Sequence, residues 1–86
     1  MKVVLYTAPG CAKCDALKEW LKRQKVDIDE RSLSDTDVQA ELLLHDVFDL
    51  TAPILERDGT FYPASQLFKG EELQILFLER VLGVKG

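Results

Sequence analysis

Cysteine is scarce in this chain, two among 86 residues, and histidine, tryptophan and methionine occur once each. Two cysteines cannot build the several-bridge framework that holds small secreted domains together. With His45 they make three soft ligands, one short of a closed structural zinc site in a single chain. Long apolar runs are missing as well. No window approaches the roughly 20 residues of a membrane-crossing helix, and Met1–Tyr6 is too short an apolar stretch for a signal peptide. A cytoplasmic protein without membrane contact is the expectation. Positive charge is in deficit, 11 basic against 15 acidic residues for a formal net charge of −4, which argues against nucleic acid as a partner. There is no internal repeat, linker or low-complexity tract, so 86 residues suit one domain over 1–86. At 47% hydrophobic content that domain can bury a core without staples.

The chemistry is concentrated in Tyr6-Thr7-Ala8-Pro9-Gly10-Cys11-Ala12-Lys13-Cys14, which holds both cysteines two residues apart. Cysteines in a reducing compartment are more often catalytic or metal-binding than structural. A bridge between these two would close a four-residue loop, restraining the unfolded chain by only about 2 kcal/mol, so its value is not that of a staple. Strand-favouring Val3-Val4-Leu5 precedes the pair and a helical pattern from Asp15 to Gln24 follows it, so the cysteines fall where a strand turns into a helix. The first N–H groups of a helix lack partners, and the peptide dipoles place about half a positive charge there, so an anion is stabilised. We therefore expect Cys11 to be a nucleophilic thiolate of lowered pKa, with Cys14 the thiol that closes a disulfide with it.

The rest of the chain reads as support. Residues 2–7 form a continuously apolar, central strand. A helix over about 11–24 sets Cys14, Leu17 and Leu21 on one stripe, widened by Ala16 and the core residue Trp20. Residues 26–32 form a charged edge strand. A second helix begins near Ser34–Asp37 and runs to about Val47, with Val38, Leu42 and Leu43 inward and His45 a surface residue near its end. Two strands, 51–57 and 60–62, flank the hairpin dipeptide Asp58-Gly59. A turn around Ser65–Phe68 leads to a third helix over about 71–82, closed by Gly83. That helix is apolar over much of its circumference, and deep seating against the sheet is favoured over self-association, giving a monomer. Charge is uneven: residues 13–25 carry +3 and residues 26–49 carry −7. Solvated helix faces explain both; the functional alternative is that the basic one favours the Cys11 thiolate and orients an electron-donor protein.

This order, with Cys-x-x-Cys opening the first helix and Thr51-Ala52-Pro53 opening the third strand, resembles the glutaredoxin-like form of the thioredoxin fold over nearly the whole chain. The resemblance implies an α/β, β-α-β-α-β-β-α architecture with a four-stranded mixed sheet flanked by three helices. It implies a dithiol protein-disulfide reductase in which Cys11 attacks a substrate disulfide and Cys14 resolves the mixed disulfide. It also implies a cis-proline at Pro53, with the Thr51-Ala52-Pro53 backbone pairing with substrate. Lys13, between the cysteines, would lower their pKa together with the helix end. Tyr6, Pro9 and Ser65 are candidate contacts for glutathione or a partner protein.

For the electron donor, glutaredoxin resemblance points to glutathione and the related redoxins to a flavoprotein of the thioredoxin reductase kind. Ala8 stands where glutathione users commonly carry lysine, and Tyr62-Pro63-Ala64-Ser65-Gln66 lacks their Gly-Gly-x-Asp turn. The partners expected are therefore disulfide-bearing proteins plus glutathione or a thioredoxin reductase, with no resident metal or bound cofactor. The reading from another class is a metal or iron–sulfur cluster shared by Cys11 and Cys14 of two subunits.

Overall fold

The computed structural model describes residues 2–84; the ends of the expected domain, Met1, Lys85 and Gly86, lie outside the described residues. Ten elements follow one another: β1 (Lys2–Thr7), α1 (Ala12–Arg23), β2 (Asp27–Ser32), α2 (Thr36–Leu44), β3 (Ile54–Arg57), β4 (Thr60–Tyr62), α3 (Ala64–Leu67), β5 (Phe68–Lys69), β6 (Glu72–Leu73) and α4 (Ile75–Leu82). The main sheet has the order β2-β1-β3-β4. The first pair is parallel, as in a strand–helix–strand crossover, and the other two are antiparallel. β1 is thus the inner strand its unbroken apolar run implied, and the charged β2 is the edge.

Alternation along β1 assigns its side chains to two cores. Val3 and Leu5 join Leu17, Trp20, Leu21, Leu55, Leu78 and Leu82 on the face covered by α1 and α4. Tyr6 joins Leu33, Leu42 and Ile54 on the face covered by α2. A strand buried on both sides needs apolar residues at consecutive positions, which is why Val3 to Tyr6 does not alternate with polar residues. Tyr62 meets Phe77 edge-on at 5.7 Å between ring centres, and Arg57 donates to the Val81 carbonyl, fixing α4 against β3 and β4. At the end of α4, Gly83 takes φ +70° and closes the helix in the left-handed conformation.

Several expected details are corrected. Where a turn and a long last helix were expected, a one-turn helix α3 and a small β5–β6 hairpin occupy residues 64–73, and α4 begins only at Ile75. Leu73 pairs with Phe68 across that hairpin instead of lying on the helix. α2 stops at Leu44, because Asp46 turns to a positive φ of 61° just beyond it. Leu42 is buried but Leu43 is 50% exposed, since only the former lies beneath the helix. Ala16 is exposed, so Trp20 alone widens the buried stripe of α1. His45 is, as expected, a surface residue at the end of α2: it is the exposed C-cap, its ring 5.1 Å from that of Phe61.

Candidate active site

β1 delivers the chain to the site and a tight turn redirects it. Gly10 sits at φ +66°, a conformation that costs other residues strain, and allows Cys11 to adopt the extended geometry of an N-cap, φ −97° and ψ 101°. The Cys11 Sγ accepts a hydrogen bond from the Cys14 N–H at 3.0 Å. A sulfur therefore occupies the place that a serine or aspartate oxygen fills in ordinary helix caps, facing a donor with no intrahelical partner. The two cysteines are joined as a disulfide, with Cα atoms 5.2 Å apart. Cys11 is half-buried and Cys14 only 2% exposed, so an incoming group meets Cys11 first.

At the head of β3, Thr51-Ala52-Pro53 is exposed, half-buried and buried in turn, and the Ala52–Pro53 bond is cis. Asp49 holds this loop: its Oδ1 accepts from the Thr51 N–H at 3.1 Å and from the Thr51 hydroxyl at 2.6 Å. Those bonds keep the Asp49 carboxyl below the usual carboxylate range. A groove of about 300 Å³ has Lys13 from between the cysteines, Thr51 and Asp49 from this loop, and Ser65 and Phe68 in its lining. Lys13 extends along it, its Nζ 5.7 Å from the Phe68 ring centre. Ser65 enters from the first turn of α3.

The expected contacts divide. Lys13, Thr51 and Ser65 are brought to this single groove, and Pro9 lies exposed on the turn before Cys11. Tyr6 is corrected: it is 1% exposed, packed in the core under α2 with its hydroxyl donating to Glu56 Oε1 at 3.0 Å. Burial, then the bond to Glu56, raises its pKa well above the ordinary tyrosine value. Its side chain joins the core and the Glu56 carboxylate and presents almost no surface to solvent. Sequence reasoning passed over Asp49, although an aspartate two residues before a threonine is the signature of an Asx turn. It also passed over a network under the site: Glu30 accepts from the buried Thr7 hydroxyl at 3.0 Å and from Lys18 Nζ at 3.1 Å. No sequence signal links these three, because the parallel pairing of β1 with β2 and the packing of α1 on β2 bring them together. Among the described residues, no three histidine, cysteine, aspartate or glutamate side chains gather as a metal site. No described helix is long and apolar enough to cross a membrane.

The family model Glutaredoxin matches residues 3–61, a span holding the cysteine pair and the cis-proline loop. No curated protein matches the chain. Among solved structures, the thioredoxin-like protein BC3987 aligns at 26% identity over 92% of this chain and 97% of that one, with a TM-score of 0.68. A mutant of it aligns at 24% identity over 96% of both chains, TM-score 0.72. The glutaredoxin-like NrdH-redoxin from Escherichia coli aligns at 21% identity over 72% of this chain and 80% of its own, TM-score 0.58.

Proposed function

Since the chain belongs to the glutaredoxin family, with its thioredoxin-like fold and a Cys-x-x-Cys disulfide, we propose that it is a dithiol thiol–disulfide oxidoreductase that reduces disulfides in other proteins. The observation that carries this reading is the Cys11 Sγ at the N-cap of α1, accepting the Cys14 N–H, with the buried Cys14 sulfur one bond away.

In the reduced protein that N–H and the helix end favour the Cys11 thiolate over the thiol. The thiolate attacks one sulfur of a substrate disulfide: a Cys11–substrate bond forms, the substrate S–S bond breaks, and the second substrate sulfur leaves as a thiolate that takes a proton. Cys14 then loses its proton and attacks Cys11 Sγ, forming the intramolecular disulfide and releasing the first substrate sulfur. Two electrons and two protons pass to the substrate. The exposed Thr51 and the Ala52 backbone beside the cis-proline align the substrate chain, and Lys13 adds positive charge next to the nucleophile. Glutathione or a flavoprotein reductase returns the electrons. The Escherichia coli NrdH-redoxin is described as glutaredoxin-like with a thioredoxin-like activity profile, which makes a thioredoxin-reductase-type donor worth direct trial.

The test uses the reduced protein and a disulfide-bonded protein such as insulin. Cys11→Ser is expected to abolish reduction, and Cys14→Ser to accumulate a covalent mixed disulfide visible by mass spectrometry. A fully active Cys11→Ser protein ends the proposal. Regeneration of the dithiol by glutathione with its reductase, or by NADPH with thioredoxin reductase, then identifies the donor.

A further inference from the structure

A second groove, of about 240 Å³, opens on the α2 side of the sheet between the end of α2 and β4. Its apolar lining is Val47, Phe48, Ile54, Phe61 and Pro63. Ile54 is fully buried, yet Phe48 is 73% exposed, so an aromatic side chain stands over an apolar floor with solvent on its other side. The two polar lining residues are both acids, Asp46 and Asp49. No lysine or arginine lines it, and it lies at the end of the segment 26–49 that carries −7.

This groove adjoins the one lined by Lys13, the residue before Cys14. Asp49 lines both, and Pro63 in the first is followed directly by Ala64 and Ser65 in the second. The junction is fixed, because Thr51 holds the Asp49 carboxylate through two hydrogen bonds. A polypeptide whose disulfide lies at Cys11 can therefore extend past Asp49 into a cleft that accepts an apolar side chain and faces it with two carboxylates. An acidic segment would meet like charge there, and a purely polar one would leave Phe48 and Phe61 uncovered.

We propose that this groove is a specificity site for protein substrates, seating an apolar side chain near the reactive cysteine while a neighbouring lysine or arginine pairs with Asp46 and Asp49. The inference rests on the oxidoreductase reading and names its substrate class: disulfides flanked by an apolar residue and a base. Both carboxylates are on exposed residues, so they act mainly on the rate of productive encounter and weaken with salt.

Four peptides decide it, each with one cysteine in mixed disulfide with thionitrobenzoate, whose release is followed by absorbance. Across the series the flank is Leu with Lys, Leu with Glu, Ser with Lys, or Ser with Glu. The reduced protein is expected to react with the Leu-Lys peptide about tenfold faster than with Leu-Glu at low salt. The gap should narrow toward twofold in 0.5 M salt. Leu-Lys should also outpace Ser-Lys about fivefold. In Asp46→Asn/Asp49→Asn the Lys-to-Glu ratio should fall toward one, and in Phe48→Ser the Leu-to-Ser ratio should do the same. Each ratio is internal to one protein, so a general loss of activity does not imitate the result. Equal rates for all four peptides, or ratios unchanged in the variants, overturn the specificity site and leave the redox reading standing. No release from any peptide overturns the redox reading itself.

Discussion

Glu30 connects three elements through one carboxylate. It sits on the edge strand and accepts from Thr7 at the end of β1 and from Lys18 in α1, the strand and the helix on either side of the cysteine turn. The Lys18 bond, then the Thr7 bond, holds its carboxyl below the usual glutamate range. A lowered folded pKa contributes stability that is complete above the unfolded value of about 4.3 and disappears as pH falls through the folded value. The side chain is 44% exposed, so water screens the pair and its worth stays at or below about 1 kcal/mol. We predict that Glu30→Gln lowers stability by that amount at pH 7, measured by urea unfolding. The difference from the parent protein should shrink as pH drops below 4, and a gap that persists at low pH would show that the charge is not responsible. Tyr6 has the opposite sign: its raised pKa keeps the hydroxyl protonated in the fold, so its contribution is constant below about pH 10 and is lost above it. Tyr6→Phe should cost about 1 kcal/mol at neutral pH, because Glu56 loses its donor.

At the scale of elements, α1 carries the site and α4 braces the sheet behind it. Leu17 and Leu21 are fully buried between α1 and β1, so Leu17→Ala should destabilise by about 3 kcal/mol by emptying the middle of the main core. Ala16→Glu on the exposed side should change stability by less than about 0.5 kcal/mol. Thermal unfolding of both variants checks the assignment, and equal losses would contradict it. These elements were legible because the sequence signals agreed: an unbroken apolar run for a strand covered twice, a stripe at 3.6-residue spacing, and Asp58-Gly59 between strand-like runs. The cysteine pair and the Thr51-Ala52-Pro53 loop were legible through the family resemblance: zinc proteins share a lone Cys-x-x-Cys, and the pair becomes specific only when joined to a Thr-x-Pro about forty residues on. The β5–β6 hairpin was not, because strands of two residues have no periodicity and Leu73 also fits a helical stripe. Leu43 shows the related limit: apolar identity does not say which of two adjacent leucines a short helix turns inward. The Asp46–Phe48 groove and the Glu30 network depend on pairing across the sheet, which no local pattern encodes.

For the whole molecule, the question is how much the fold depends on the bond that its proposed chemistry makes and breaks. Among the described residues the two cores together contain fifteen buried side chains, drawn from the two inner strands β1 and β3 and from the helices, loops and β5 packed on the sheet, and of the pair only Cys14 is buried. The disulfide spans three positions along one helical turn and cross-links no two distant elements. In the chain-entropy account a loop this short stabilises by about 2 kcal/mol at most, against the 5–15 kcal/mol typical of a folded domain. Under the proposed chemistry reduction returns part of that, since a Cys11 thiolate would be favoured by the Cys14 N–H and the positive end of α1. We therefore predict that the reduced protein stays folded, with unfolding free energy lowered by no more than about 2 kcal/mol. Guanidinium chloride unfolding of the oxidised protein, the reduced protein and the Cys11→Ser/Cys14→Ser double variant measures this directly. A reduced form that loses its cooperative transition would mean that the bond is structural, and a protein that had to unfold in each cycle could not serve as a carrier of electrons between disulfides.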